Sequence, residues 1–203
     1  VTSRFEDDEY ERDRMARATA RFSDADTPSR TPARGFAPLQ LEPGDLVEDR
    51  YRIEAGPLGQ VTGEAEVYQC TDLVSDETLA LKLYRDRVSP KQSVLEALVG
   101  MRHPDIVNLR AYGNWMGRFY EIMDYCSGGS LADYMPFDES DLARFAEQVM
   151  MGLQYLHDIG VVHRDIKPSN LFFRSTEDRD LVIGDFGVSS ILEIEEKVRR
   201  TST

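Results

Sequence analysis

Hydrophobic and polar positions change regime along this chain. Up to about residue 45 there is no sustained apolar period. Acidic and basic side chains alternate through Glu6, Asp7, Asp8, Glu9, Glu11, Arg12, Asp13 and Arg14, then give way to Ser, Thr, Pro and Arg. Such a stretch buries too little apolar surface to offset its ordering entropy, so residues 1–45 are expected to form a disordered tail, with a transient helix over 10–22. Globular patterning starts near Gly44. Leu79-Ala80-Leu81-Lys82-Leu83-Tyr84 alternates as a half-buried strand does. Ser89-Pro90 offers a cap and first helical position for a helix over 90–101. Leu142, Phe145, Ala146, Val149, Met150, Leu153 and Leu156 recur at three- and four-residue steps, which predicts a helix over 141–157 with one apolar stripe.

At 203 residues and 41% hydrophobic content, the chain can hold one domain with a real core. Its net charge of −13 argues against binding nucleic acid or an anionic membrane by bulk charge. Cys70 and Cys126 are the only cysteines, so no disulfide framework is expected and a reducing, cytoplasmic setting fits better. No apolar run approaches the roughly 18 residues that span a bilayer. The chain begins with Val1 rather than Met, which predicts an alternative start codon or a missing amino end. Thr27-Pro28, Ser29 and Thr31-Pro32 read as a solvated linker, with a phosphorylation target as the alternative.

Two motifs near the carboxyl end narrow the chemistry. His163-Arg164-Asp165-Ile166-Lys167-Pro168-Ser169-Asn170 is followed, fifteen residues after Asn170, by Asp185-Phe186-Gly187. On these residues the chain resembles the eukaryotic-type (Hanks-type) Ser/Thr protein kinase family. The resemblance implies an α+β, bilobal protein-kinase fold over 46–203, with a small β-rich lobe over about 46–126 and the beginning of a mainly helical large lobe over 127–203. It also implies ATP and Mg²⁺ as cofactors and a protein substrate with a Ser or Thr acceptor, the chain itself included. Asp165 is expected to orient the substrate hydroxyl, Lys167 to offset charge on the transferring phosphoryl group, and Asn170 and Asp185 to hold Mg²⁺. Lys167-Pro168-Ser169 matches the Ser/Thr type rather than tyrosine-specific relatives.

The small lobe matches less evenly. Tyr51-Arg52-Ile53 is similar to the opening strand, and Leu79 to Tyr84 to the strand whose lysine, here Lys82 with Ala80 before it, reaches the nucleotide phosphates. The glycine-rich phosphate loop is imperfect: Gly59 and Gly63 are present, but with Val67 as the loop's valine, Ala65 stands where a third glycine is usual. A looser lid and weaker ATP binding follow. The segment Gly63-Glu64-Ala65-Glu66-Val67-Tyr68 is similar to loops of bacterial members. The family pairs the lysine with a helix glutamate. Glu96 is the only acid in the expected helix, but it lies nearer to His103-Pro104 than the family places it, and Val94 occupies the usual slot. A shortened helix with a shifted Glu96 beside Lys82 is the expectation, and a surface Glu96 without a lysine partner is the alternative. Phe119-Tyr120-Glu121-Ile122-Met123-Asp124-Tyr125-Cys126 resembles the strand and hinge that line the adenine pocket, with Met123 at its back and Asp124 to Cys126 offering backbone bonds to the purine.

The resemblance ends inside the family's activation segment, before any Ala-Pro-Glu motif, so around a hundred residues of a typical domain are expected to be missing and the chain alone to be inactive. Arg164 and the run Thr201-Ser202-Thr203 suggest regulation by phosphorylation, a phosphate near Arg164 ordering the segment. Two other readings stay open. A pseudokinase or scaffold is motivated by the poor glycine loop and by Glu96, and a small-molecule phosphotransferase of related fold would share the loop Asp and Asn.

Overall fold

The computed structural model of the chain describes residues 40–59, 64–177 and 179–191. The expectations for residues 1–39, for Gly63 and for Thr201, Ser202 and Thr203 lie outside the described residues. From Glu42 onward the described residues form one compact unit.

The first half of that unit is an antiparallel sheet. Strands β1 (Leu46–Val47), β2 (Tyr51–Ala55), β3 (Ala65–Asp72), β4 (Thr78–Tyr84), β5 (Leu109–Trp115) and β6 (Arg118–Asp124) lie in the order β1-β2-β3-β4-β6-β5. Between β4 and β5 runs one short helix, α1 (Gln92–Leu98), whose Val94, Leu95 and Leu98 are buried. It is shorter than the 90–101 expected, and its cap position is Lys91, with no side-chain cap bond, rather than Ser89. β4 also departs from expectation. Leu79, Ala80, Leu81, Leu83 and Tyr84 are all buried and only Lys82 is partly open, because the strand lies inside the sheet, between β3 and β6, and is covered on both faces. Arg50 and Asp72 tie the sheet's edge together through two bonds of 2.8 and 2.7 Å.

The second half is carried by α2 (Glu139–Asp158). Asp138 caps it by accepting from the Asp141 N–H at 2.8 Å. Of the stripe expected from the sequence, Phe145 and Leu156 are buried and Val149 and Leu153 partly so. Leu142 and Met150 are 51% and 62% exposed, so the packed line runs through Phe145, Gly152 and Leu156 instead. Gly152 sits there because a Cβ would stand 2.8 Å from Ile183 Cδ1 and 3.0 Å from the Asp105 carbonyl oxygen. After α2 come β7 (Val161–Val162), a 3-10 turn over Pro168–Asn170, then β8 (Leu171–Phe173), β9 (Leu181–Ile183) and β10 (Ser190–Ile191). β8 and β9 form an antiparallel ribbon, and β10 pairs with β7.

One apolar cluster joins the two halves: Val94, Leu95 and Leu98 of α1 belong to it with Phe145 and Leu156 of α2 and Ile183 of β9. Backbone bonds fix the junction. Ile183 donates its N–H to the Asp105 carbonyl at 2.9 Å and accepts from the Val107 N–H at 2.8 Å. The result is a bilobal fold, a β-rich first lobe followed by the start of a helical second lobe, with β9 leading into the cleft between them.

Candidate active site

Strand register assembles the first wall of the site. Directly paired residues share a sheet face, and Val67 of β3 pairs with Lys82 of β4, which pairs with Glu121 of β6, which pairs with Tyr112 of β5. Two residues along, on the same face, Gln69, Ala80 and Met123 form a second row. Val67, Ala80, Lys82 and Met123, which the sequence proposed together, therefore do stand together. Ala65 is buried at the start of β3, and Gly59 adopts φ +64 with open space around its α-carbon.

Asp124 closes this wall and has a role the sequence did not show. Its carboxylate accepts from Asn108 Nδ2 at 2.5 Å, Arg110 Nε at 2.6 Å and Arg174 Nη1 at 3.4 Å. Its N–H donates to the Asn108 carbonyl at 3.1 Å, so of its backbone only the carbonyl oxygen is a candidate for a purine edge. Arg174 also donates to the Pro104 carbonyl at 2.7 Å, which locks the strand end to the second lobe. Cys126 follows, half-buried, its thiol pushed up to about 11 by burial.

The second wall is the loop after β7. Asp165 Oδ2 accepts from Lys167 Nζ at 2.8 Å and from Asn170 Nδ2 at 2.9 Å, and Asn170 Nδ2 also donates to the Asp165 carbonyl at 2.8 Å. The loop is thus closed on itself by the side chains that its spacing singled out. The bond from Lys167 holds the half-buried Asp165 below the usual carboxylate range, with Asn170 assisting, so it is an anionic acceptor at neutral pH. His163 fixes the loop from beneath. It is 1% exposed, its Nδ1 accepts from the Asp165 N–H at 3.3 Å, and Nε2–H donates to the Gly184 carbonyl at 2.9 Å. Burial holds its pKa below the usual value, consistent with this neutral tautomer. Arg164 is exposed and adopts φ +70.

The β8–β9 ribbon brings the two motifs to each other. Leu171 pairs with Ile183, so the next residues outward, Asn170 and Gly184, face one another, and the Gly184 N–H donates to the Asn170 carbonyl at 3.0 Å. Asp185 comes next, at φ +61. Its Oδ1 accepts from Lys82 Nζ at 2.5 Å, a contact across 103 residues that joins the sheet to the loop. Burial pushes the Asp185 carboxyl up, but the charge and bond of Lys82 outweigh it, and the group stays below its ordinary value.

The expected pairing of Lys82 with Glu96 is not formed. Glu96 is exposed on α1, where it accepts from Gln92 Nε2 at 2.8 Å one helical turn away. With Val94 turned into the core, Glu96, two residues on, is carried away from that face. The acid nearest Lys82 along the sheet is Glu121, 4% exposed and pushed up to about 7 by burial, with the Lys82 charge pulling the other way. Sequence reasoning passed over it as one position of a strand. The available signal was an acid inside the otherwise apolar run Phe119-Tyr120-Glu121-Ile122-Met123.

The sheet, the closed loop and the lysine bridging them define a cleft of the protein-kinase type. Comparison with known proteins agrees. The family described as "Protein kinase domain" matches residues 56–203, and the chain belongs to it. The chain is 36% identical over 128 residues to "Calcium/calmodulin-dependent protein kinase cmkB" of Emericella nidulans, covering 61% of this chain and 32% of that protein. It is 30% identical over 156 residues to human "Calcium/calmodulin-dependent protein kinase type IV", covering 73% and 33%. Among solved structures it is similar to Rad53 residues 1–466 in complex with AMP-PNP, with a TM-score of 0.62, 26% identity, and coverage of 68% of this chain and 38% of that one. The chain spans about a third of the length of these two curated relatives.

Proposed function

We propose that the protein transfers the γ-phosphoryl group of ATP to Ser or Thr hydroxyls of protein substrates, through a kinase domain spanning 46–203 with its small lobe over 46–126. The observation that carries this is the Lys82–Asp185 contact, which sets the phosphate-reaching lysine of the sheet against a carboxylate beside the Asp165–Lys167–Asn170 triangle. Mg²⁺ fits the residues present. Both side-chain bonds made by Asn170 are donated by its amide nitrogen, which leaves the amide oxygen for a cation, and the ionised Asp185 follows the residue facing Asn170 on the ribbon. Mg²⁺ uses few protein oxygens, the rest coming from phosphate and water. When bound it neutralises phosphate charge.

The chain's own groups do the positioning. Asp165 Oδ, kept anionic, accepts the hydrogen bond of the acceptor hydroxyl and orients its oxygen. Lys167 Nζ, already beside Asp165, offsets charge as the phosphoryl group moves. Lys82 Nζ reaches the non-transferred phosphates, and the Ala80–Met123 row offers an apolar seat for the base. A cytoplasmic setting is supported by the free thiols of Cys70 and Cys126. Among the described residues no helix is long and apolar enough to cross a membrane.

The test is phosphotransfer from ATP and Mg²⁺ to Ser/Thr peptides by the full-length protein. Asp165→Asn and Lys82→Ala are each expected to lower turnover by about 10²–10⁴-fold. Wild-type turnover in Asp165→Asn refutes the mechanism, and ATP binding without turnover in the unmutated protein assigns a scaffold instead. Mass spectrometry of the same reactions is expected to find phosphate on Thr201, Ser202 or Thr203, the regulatory sites proposed to act with Arg164.

A further inference from the structure

The carboxylate that positions Lys82 is a separate question, and its answer rests on the reading of the site just given. We propose that Glu121, on strand β6, is the positioning residue for Lys82, in the role for which a helix glutamate was expected. Three observations carry it. Lys82 and Glu121 are directly paired across β4 and β6, so their side chains leave the same face of the sheet side by side. Glu121 is 4% exposed and, with Oε1 in no well-formed bond, has only the Tyr84 hydroxyl beside it, a costly state for a carboxylate, which an apolar side chain of similar volume would relieve. Glu96, the alternative acid, is exposed and bonded to Gln92.

Lys82 presently bonds Asp185 Oδ1. Asp185 is also the carboxylate proposed to hold the cation, and a ligand to Mg²⁺ cannot serve an ammonium equally well. Once Asp185 is taken, Lys82 needs another anion to fix its long, rotatable side chain over the phosphates. Glu121 supplies it from a rigid strand. The remaining groups facing this point are Tyr84, two residues along β4, whose ring lies 5.0 Å from Lys82 Nζ, and Tyr112, the β5 partner of Glu121. The Tyr84 hydroxyl is buried against the Glu121 carboxylate and helps to hold its anion, though the two are not in a well-formed bond. Lys82 therefore sits among Asp185, Glu121 and the Tyr84 ring, with a partner for each of two states: Asp185 without nucleotide, Glu121 with it. Burial raises Glu121 toward neutrality and the Lys82 charge opposes this, which suits a carboxylate that becomes a full anion when Lys82 turns to it.

The experiment measures calorimetric Kd values for MgATP and for adenosine, with the full-length protein and its Glu121→Gln, Glu121→Met, Glu96→Gln and Lys82→Ala variants. Adenosine lacks the phosphates that Lys82 holds. Glu121→Gln is expected to weaken MgATP binding by about tenfold or more, toward the Lys82→Ala value, while adenosine binding stays within about twofold. Glu121→Met is expected to weaken MgATP alike yet raise the thermal midpoint, since it removes a buried, poorly satisfied carboxylate. A merely structural Glu121 would instead lower stability and both affinities together, and that result overturns the proposal. So does an unchanged MgATP Kd in Glu121→Gln beside a loss in Lys82→Ala, which leaves the kinase reading standing. A loss in Glu96→Gln alone also overturns it, by returning the role to the helix. Unchanged MgATP binding in Lys82→Ala would overturn the underlying reading, and the proposal with it.

Discussion

Gly152 is where two physical effects of opposite sign can be weighed. It lies inside α2, and by helix propensity alone Gly152→Ala should stabilise the protein by about 1 kcal/mol. Packing predicts the reverse. The new Cβ would stand 2.8 Å from Ile183 Cδ1 and 3.0 Å from the Asp105 carbonyl oxygen. Neither neighbour can yield cheaply. Ile183 is 0% exposed, so its methyl has no open space to turn into, and the Asp105 carbonyl accepts the Ile183 N–H at 2.9 Å, so it cannot retreat without stretching a backbone bond. Overpacking of this kind costs about 1–3 kcal/mol. The net expectation is a loss of roughly 1 kcal/mol, a fall of about 2–4 °C in midpoint for a chain of this size. Urea unfolding followed by the fluorescence of Trp115, the single tryptophan, measures it. Met151→Ala, at the exposed neighbouring position, serves as the control and should change stability by less than about 0.5 kcal/mol. A Gly152→Ala protein that is more stable than its parent by the propensity value would refute the packing argument. Because Ile183 leads through Gly184 to Asp185, the same variant should also weaken MgATP binding.

Two further expectations concern pH and a side-chain clamp. The raised value of Glu121, about 7 against 4.5, means that the folded protein without nucleotide holds a proton the unfolded chain releases. Its contribution is therefore present below about pH 4.5 and is lost as pH rises through 7, on the order of 3 kcal/mol in all. Urea melts should show Glu121→Gln gaining stability relative to wild type between pH 5 and pH 8, and an equal difference at both would contradict this burial. Asp72 runs the other way: the bond from Arg50 holds it below its ordinary value, so its contribution is present above about pH 4 and is lost as pH falls through the depressed value. With Asp72 nearly buried but Arg50 half in solvent, Asp72→Ala should cost about 1–3 kcal/mol at pH 7 and progressively less in acid, measured by the same melts.

What the sequence determined by itself is the part of the site made from near neighbours. Asp165, Lys167 and Asn170 lie within six positions, and the bonds that close their loop depend on that spacing, so the motif was legible without coordinates. The same holds for the helical period of α2 and for the strand character, though not the burial, of β4, both of which are local. Local patterns failed where the outcome depended on what packs from elsewhere. The stripe on α2 was read correctly as helical, yet Leu142 and Met150 are exposed while Gly152 is buried, because Asp105 and Ile183 choose the packed face. Asp124 was read as a hinge backbone, but Asn108, Arg110 and Arg174 converge on its side chain from separate segments. Above all, the tertiary structure decided which acids meet Lys82. Asp185 is 103 residues away, Glu121 reaches it only through the register of β4 against β6, and Glu96, nearest in sequence, is turned out by the phase of α1. Spacing along the chain sets hydrogen bonds within a turn or a loop. The charge that a lysine meets in a dehydrated cleft is set by strand order, register and helix phase, which belong to the assembled fold.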